Sequence, residues 1–254
     1  MFRALCLLPF TLLIFLPYLS SANEVRDPFM PGETLVFELR WGVIPAGKAV
    51  LEVKPNETIN GQPAYHFVLT AKSNSFLDIF YKVRDRIDSY TNTDLTQTLH
   101  YKKKQHEGST RRNIQVDFDW EKKQAVYQNH RKKKPHIDLQ SGALDPLGAF
   151  YFIRKINLTE KLTFERPVTD GKKCVMGRAR VIKRETLKLA LGTFDTYLIE
   201  PELKDIGGVF KKSRDAKIRL WITADHRRIP VKLQSKVVVG SFVGELVKMR
   251  NTSP

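Results

Sequence analysis

Apolar and polar residues alternate through most of this chain, and the pattern first becomes clear after a turn at Pro31. The stretch Thr34–Trp41 places an apolar side chain at every second position, which is typical of a strand with one buried face. Gly42 and Gly47 interrupt the alternation, and it resumes over residues 49–53. The segment therefore predicts two antiparallel strands joined by a bend.

The same alternation returns in a series of segments separated by turn residues. These segments are residues 64–73, 83–91, 99–106, 113–120, 125–130, 162–168, 174–184, 186–191, 193–200, 217–224, 229–239 and 241–250. The series predicts an all-β fold, an antiparallel sheet of about a dozen strands curled into an open or closed barrel. Because no Ser/Gly linker or internal repeat divides the chain, residues 23–254 form one predicted domain.

One segment departs from the strand period and predicts a short helix. Asp145 can cap this helix, Pro146 suits its first position, and apolar residues recur at helical spacing up to Arg154. Lys155 interacts favourably with the negative end of the helix dipole. We expect the helix to close the mouth of the barrel. Residues 76–81 predict a helical turn that covers an end of the sheet.

Residues 1–22 have the pattern of a secretory signal peptide. Arg3 precedes an apolar run over residues 4–19, and small residues lead to a cleavage site between Ala22 and Asn23. An uncleaved membrane anchor is the alternative, although the run is short and contains prolines. We expect a soluble, exported protein that has no membrane-spanning segment once the signal is cleaved.

The formal net charge is +16, and lysine and arginine clusters contribute much of it. If the connecting turns are tight, strand pairing places Lys104 opposite Arg112, and Arg112 opposite Lys132 on the next strand. The clusters then form one basic stripe, which consists of Lys102, Lys103, Lys104, Arg111, Arg112, Lys132, Lys133 and Lys134. Like charges on neighbouring strands destabilise a sheet, so the stripe needs an explanation. It is either a set of lysines that protects a sheet edge or an anion-binding surface.

The sequence contains no recognisable catalytic or metal-binding motif. The histidines are scattered, the carboxylates show no paired spacing, and Ser241 lacks the second glycine of a nucleophile elbow. Cys174 is the only cysteine left after signal cleavage, so no intramolecular disulfide can form. Nucleic acid is disfavoured as a partner, because an exported protein meets little of it and no base-reading motif is present. We expect a non-enzymatic protein that needs no metal and no other cofactor.

Several short motifs follow one another in an order that matches a known pattern. They are Pro31-Gly32-Glu33, Trp41-Gly42, Ala46-Gly47, Asp145 with Tyr151 and Arg154, Gly192-Thr193-Phe194, Leu220-Trp221-Ile222-Thr223 before Asp225, and Arg228-Ile229-Pro230-Val231 before Gly240. In this order they resemble the exported bacterial family known as domain of unknown function 3108. The resemblance implies a periplasmic, mostly antiparallel β protein of Gram-negative bacteria and implies no enzyme activity. The lysine clusters are not part of the family pattern.

The combined observations predict a protein that maintains the envelope by binding an amphipathic or anionic component, namely a lipid, a glycolipid or an acidic glycan. The candidate ligand-binding residues near the expected cavity are Trp41, Tyr151, Arg154 and Trp221. Arg154 either clamps a ligand or forms a buried ion pair. The alternative function is a scaffold that binds other envelope proteins through its basic surface. An apolar cavity inside the sheet favours the first function, and a side-chain-filled interior favours the second.

Overall fold

The computed structural model describes residues 27–202, 217–237 and 240–252. The predicted signal peptide and a loop predicted over residues 205–208 lie outside these ranges. The described chain forms one large antiparallel sheet and two helices, which confirms the all-β prediction.

The elements are numbered in chain order. The strands are β1 (Thr34–Trp41), β2 (Ile44–Ile59), β3 (Gln62–Ser73), β4 (Arg84–Asn92), β5 (Thr98–Glu107), β6 (Thr110–Asp119), β7 (Gln124–Asn129), β8 (Lys132–Lys133), β9 (Ile137–Asp138), β10 (Thr163–Thr169), β11 (Cys174–Leu189), β12 (Gly192–Pro201), β13 (Lys217–Thr223), β14 (Pro230–Val237) and β15 (Gly240–Arg250). The helices are α1 (Ser75–Asp78) and α2 (Pro146–Lys155).

The strand bounds differ from the sequence pattern most clearly at three places. The second predicted strand, placed at residues 49–53, is the much longer β2 at Ile44–Ile59. The segments predicted as two strands over residues 174–184 and 186–191 form the single long strand β11, because pairing with β12 continues through Glu185, which lies opposite Thr196. The two-residue strands β8 and β9, which are too short to show alternation, both pair with β7. The sheet therefore has fifteen strands where about a dozen were predicted.

The sheet is curled but not closed. Its hydrogen-bonded order is β10-β11-β12-β13-β14-β15-β1-β2-β3-β4-β5-β6-β7-β8, so the first strand pairs with the last and joins the two halves of the chain. The edge strands are β10 on one side and β8 and β9 on the other. We call the gap between these edges the seam.

At one end of the seam, the chain after β9 crosses from one edge to the other. The Leu139 N–H donates to the carbonyl oxygen of Lys123 at 2.7 Å, which fixes the crossing segment to the turn between β6 and β7. Five residues later, Leu144 forms a parallel bridge with Val168 of β10. The Thr98 N–H also donates to the carbonyl of Ala143 in this segment.

The inner face of the curled sheet is occupied by side chains. Leu35, Val53 and Phe67 from β1 to β3 are fully buried against residues of α2. The Tyr151 ring of α2 stacks on Phe67 with a centroid separation of 3.8 Å, and Phe29 meets Tyr151 edge to face at 5.4 Å. The interior around α2 is therefore packed and not hollow.

Asp145 caps α2 from a fully buried position, as the sequence predicts. Its Oδ1 accepts from the N–H groups of Leu147 and Gly148 at 2.9 and 3.1 Å. Its Oδ2 accepts from the hydroxyls of Ser89 and Thr98, which lie on β4 and β5. The carboxylate thus connects the start of α2 to the sheet, and burial raises its pKa above the ordinary value while these hydrogen bonds oppose the rise.

A buried ion pair fixes the C-terminal end of α2. The guanidinium of Arg154 donates to both carboxylate oxygens of Glu33, and both side chains are almost completely inaccessible to solvent. The remaining donors bind the carbonyl oxygens of Pro28 and Arg227. The guanidinium also lies over the Phe29 ring at 5.3 Å.

Candidate functional site

An open cleft of about 1040 Å³ lies near the seam, and we call it the basic cleft. Its charged lining consists of Arg112, Arg131, Lys132, Lys133, Lys134 and Lys172. Asn113, Tyr127, Asn129 and His130 complete the wall. The cleft lies between the β7–β8 connection and the β10–β11 turn.

The register of β5, β6 and β7 directs Arg112 into this cleft. A two-residue turn pairs Glu107 with Thr110, which places Gln105 opposite Arg112. Because side chains alternate between the faces of a strand, Arg112 shares the inner face with Val116, and Val116 pairs with Tyr127 on β7. Arg112 and the Tyr127 ring therefore form one wall of the cleft.

The lysine cluster after β7 folds back along the same strand. His130 has a φ of 53°, and its N–H donates to the carbonyl of Asn113 at 2.7 Å, which ends β7 beside the start of β6. The next residues reverse direction, so that Lys132 pairs with Asn129 and the Lys134 N–H donates to the carbonyl of Tyr127. Three consecutive lysines are thereby held along the sheet edge at the seam.

The β10–β11 turn supplies the opposite wall. The backbone N–H of Gly171 donates to the Thr169 hydroxyl, and the N–H of Lys172 donates to the Asp170 carboxylate at 2.9 Å. Gly171 has a φ of 81° and lies so close to β6 that a Cβ atom would meet Val116 at 2.6 Å. This close approach carries the Lys172 ammonium to 4.7 Å from the Tyr127 ring centroid.

The lysine and arginine side chains that line the cleft give it a positive charge. None of its six lysine and arginine side chains forms an ion pair with a carboxylate in the described part of the chain. The Lys134 and Lys172 ammonium groups both lie over the Tyr127 ring. Burial, together with the nearby Asp170 carboxylate, raises the pKa of the Tyr127 phenol, and the charges of Arg112 and Lys134 oppose the rise. The phenol is therefore a neutral hydrogen-bond donor at pH 7.

A smaller groove of 260 Å³ adjoins the cleft on the outer face of β4 to β7. Asn113 and His130 line both, so the two concave surfaces are continuous around the end of the sheet. The groove contains one carboxylate, Asp88. Burial raises its pKa, but hydrogen bonds from His66 and Arg86 outweigh burial and hold the pKa well below its ordinary range.

The predicted basic stripe is divided between the two faces of the sheet, and its predicted pairings are wrong. Lys104 pairs with Asn113 and not with Arg112, because the β5–β6 turn has one residue fewer than the prediction assumed. Lys132 pairs with Asn129 and not with Arg112, because β8 folds back along β7. Lys102 and Lys104 consequently line the outer groove, while Arg112 lines the cleft.

Two members of the predicted stripe lie away from both concave surfaces. Lys103 projects to the inner side of β5, where its ammonium is 3.8 Å from Asp85. Burial, together with a hydrogen bond to Glu107, raises the pKa of Asp85 to about 6. Arg111 turns back onto the β5–β6 turn and donates to the carbonyl of Gly108 at 2.7 Å.

The four predicted ligand-binding residues do not meet in one cavity. Tyr151 is completely buried, and Arg154 forms the ion pair that was one of its two expected roles. Trp221 is buried, and its indole N–H donates to Glu185 at 3.0 Å. Trp41 is exposed and stacks on Phe242 at a centroid separation of 6.3 Å. None of the four lines the basic cleft or the outer groove.

Sequence reasoning missed six residues that line the cleft, and three of them supply its remaining charge and its aromatic ring. Arg131 adjoins the predicted lysine cluster, so its charge was a visible signal. The sequence identified Tyr127 only as an aromatic residue on a predicted strand and did not indicate that it lines a binding site. Lys172 follows a turn far away in the sequence, and no local pattern indicates that this turn packs against β6.

The model of a family described as a protein of unknown function, DUF3108, matches residues 36–247. The chain belongs to the DUF3108 family. This result confirms the resemblance seen in the sequence. A search of curated proteins finds no match.

Among solved structures, a beta-barrel-like protein has a fold similar to that of this chain. A beta-barrel-like protein of domain of unknown function DUF1849 from Brucella abortus shares 11% identity and a TM-score of 0.58, covering 89% of this chain and 100% of its own. This likeness supports the fold alone. The hypothetical protein CT021 from Chlamydia trachomatis covers 89% of this chain and 90% of its own, with 8% identity and a TM-score of 0.37.

Three further features of the described residues concern helix length, metal ligands and thiols. Within residues 27–202, 217–237 and 240–252, no helix is both long and apolar enough to span a membrane. The same ranges contain no group of three or more His, Cys, Asp or Glu side chains arranged to hold a metal ion. Cys174 is a free, half-buried thiol.

Proposed function

We propose that this DUF3108 protein is a non-enzymatic, exported protein that binds a phosphate- or carboxylate-bearing amphiphile of the cell envelope through the basic cleft. The observation that carries the proposal is a set of six cationic side chains around one cleft, none of which is ion-paired with a carboxylate of the described residues. The signal-like pattern of residues 1–22 supports export. The envelope component would be a lipid or glycolipid whose anionic headgroup enters the cleft.

The crowding of cations gives a physical reason for an anionic ligand. Lysine and arginine side chains that share a concave surface repel one another, and low-dielectric walls strengthen the field in the space between them. A phosphate or carboxylate group removes this repulsion and accepts charge-assisted hydrogen bonds from several donors at once. The volume of 1040 Å³ is large enough for a headgroup with attached sugars or glycerol.

Because the interior is packed, the apolar part of the ligand has no space inside the sheet. An enclosed acyl chain would have to displace Tyr151 and the other buried side chains around α2. The proposal therefore assigns recognition to the headgroup and leaves the acyl chains outside the sheet.

The packed interior also favours a second candidate function. A scaffold that binds an acidic protein needs a basic surface but no ligand cavity. A basic surface around a packed interior is therefore the arrangement expected for a scaffold. The two functions differ in whether an isolated anionic lipid binds in the absence of any protein partner.

A calorimetric titration of the mature chain with water-soluble dihexanoyl phosphatidylglycerol tests the proposal. We expect saturable binding that weakens as salt rises from about 0.05 M to about 0.5 M, because screening reduces the attraction. Dihexanoyl phosphatidylcholine, whose headgroup has no net charge, should bind at least about tenfold more weakly.

A charge-matched pair of variants localises the binding. Replacing Lys132, Lys133 and Lys134 by glutamine should weaken phosphatidylglycerol binding about tenfold, since each exposed charge contributes up to about 1 kcal/mol. The control replaces three exposed lysines far from the cleft by glutamine, namely Lys161, Lys188 and Lys248. Equal affinities for the two variants would contradict the proposal, as would equal binding of the two lipids. Capture of an acidic protein without any lipid binding would establish the scaffold function instead.

A further inference from the structure

Exposed hydrophobic side chains are concentrated at one end of the sheet. The four most exposed large hydrophobic residues in the described chain are Val43 at 90%, Ile79 at 75%, Phe80 at 73% and Phe76 at 56%. Ile44 and Tyr81 lie beside them in the sequence and are also exposed. We call these six residues the apolar patch. Soluble proteins rarely leave this many large apolar groups together in water unless the surface binds something.

Hydrogen bonds bring the two segments of the apolar patch to the same place. Val43 lies in the turn between β1 and β2, and the Asn74 side chain donates to the carbonyl of Pro45 at 2.7 Å. The Asn74 N–H donates to the carbonyl of Ala46, and the Asn74 Oδ1 accepts from the N–H of Leu77. Asn74 thus caps α1 and fixes it beside the start of β2.

Further contacts extend this surface on both sides. Trp41, the last residue of β1, stacks on Phe242 of β15. In the other direction, Tyr81 packs against the β5–β6 turn, since a Cβ atom on Gly108 would lie 2.7 Å from its ring. The Gly108 N–H donates to the carbonyl of Lys82 at 2.9 Å. The surface therefore runs from the β1–β2 turn to the β5–β6 turn.

Strand directions place the basic cleft at this same end. The strands β1, β3, β5, β7 and β10 all end here, and β2, β4, β6 and β11 begin here. The β5–β6 turn that touches Tyr81 leads directly to Arg112 of the cleft. One end of the molecule therefore carries both the apolar patch and the unpaired cations.

The opposite end of the sheet has a different character. Its turns carry charged side chains that are paired locally, such as Lys122 with Asp119 and Arg227 with Asp225. Leu191, in the β11–β12 turn, is exposed there at 40%. The contrast shows that apolar exposure is not a general property of the turns in this chain.

We propose that the end bearing the apolar patch docks on the surface of a bilayer that contains anionic lipids. This inference rests on the proposed function, since the basic cleft would then receive the headgroups. Aromatic and aliphatic side chains enter the interfacial region of a bilayer, and nearby lysines and arginines bind its anionic surface. The acyl chains of a bound lipid would remain in the bilayer, which agrees with a packed protein interior.

Charge decides between a bilayer and a second copy of this chain as the occupant. Self-association through this end would bring two sets of unpaired cations together in a protein whose formal net charge is already +16. An anionic membrane surface complements both features at once. The apolar patch provides buried area, and the cations provide attraction that decreases with salt.

Vesicle co-sedimentation of the mature chain tests the inference. We expect binding to vesicles made of equal parts phosphatidylcholine and phosphatidylglycerol, and much weaker binding to vesicles of phosphatidylcholine alone. Replacing Ile79 and Phe80 by serine should lower the partition coefficient about tenfold, because it removes apolar surface that would enter the bilayer. The control, Leu191→Ser, should leave the partition coefficient unchanged.

The outcomes separate this inference from the proposed function. The Ile79→Ser/Phe80→Ser variant should bind dihexanoyl phosphatidylglycerol as the parent chain does, since the cleft is intact. If the parent chain binds this soluble lipid but not the vesicles, the docking inference is wrong and the proposed function stands. Equal vesicle binding by the parent and the Ile79→Ser/Phe80→Ser variant would also overturn the inference. Urea midpoints within experimental error of the parent value verify that each variant is folded.

Discussion

Replacing Arg154 by alanine is expected to lower the free energy of unfolding by about 3–5 kcal/mol, because it leaves the carboxylate of Glu33 buried without a counter-charge. Both side chains of the pair are almost inaccessible to water. The substitution also removes the donors that satisfy the carbonyl oxygens of Pro28 and Arg227. Urea unfolding followed by tryptophan fluorescence measures the loss.

Two comparison variants separate the ion pair from the loss of packing. Arg154→Lys keeps the charge but loses the two-point contact with Glu33, so we expect a loss smaller than that of the alanine variant. A double variant, Glu33→Gln with Arg154→Met, removes both buried charges and should be more stable than Arg154→Ala. A loss below about 1 kcal/mol for Arg154→Ala would contradict the assigned role of the pair.

The second large effect is expected at Asp145, whose replacement by alanine should cost about 2–4 kcal/mol. The change removes the cap that accepts from the N–H groups of Leu147 and Gly148. It also leaves the buried hydroxyls of Ser89 and Thr98 without their acceptor. Chemical denaturation, monitored by circular dichroism, measures the difference from the parent chain.

Asparagine at the same position provides the matched control. The Asp145→Asn side chain keeps an oxygen that can cap α2, and the Ser89 and Thr98 hydroxyls can rotate to accept from its amide. We therefore expect a loss well below that of Asp145→Ala. Equal losses for the two variants would show that the negative charge, and not the cap, is the stabilising feature.

The sequence predicted local structure well because strands and helix ends have local signals. Alternation marked the long strands, and the Asp145-Pro146 pair located the start of α2 to the residue. Strands β8 and β9 gave no signal, since two residues cannot show a period. The buried partner of Arg154 was also invisible, because Glu33 lies far away in the sequence.

Prediction of the site failed at the level of strand register. The basic residues were recognised, but one residue in the β5–β6 turn decides whether Lys104 lies opposite Arg112, on the same face, or opposite Asn113, on the other face. Turn length is set by local backbone geometry that composition does not specify. The contribution of Lys172 depends on the packing of a distant turn against Val116, which only the folded chain reveals.

The apolar patch illustrates a different limit of sequence reasoning. Residues 76–81 were expected to cover an end of the sheet, and α1 does lie at one end. The aromatic side chains nevertheless project into solvent, because the cap at Asn74 orients the helical turn along the β1–β2 connection. An apolar segment in a sequence indicates burial without specifying whether the protein or a partner provides it.

The most direct test of the central claim is native mass spectrometry of the mature protein, released gently from its own envelope, with lipid extraction of the same sample. We expect an added mass that the extract identifies as an anionic lipid or glycolipid. This mass should be absent from the variant with glutamine at positions 132–134 and present in the variant changed at Lys161, Lys188 and Lys248. The unliganded mass alone, in repeated preparations of the parent chain, would contradict the claim that the basic cleft binds an anionic amphiphile.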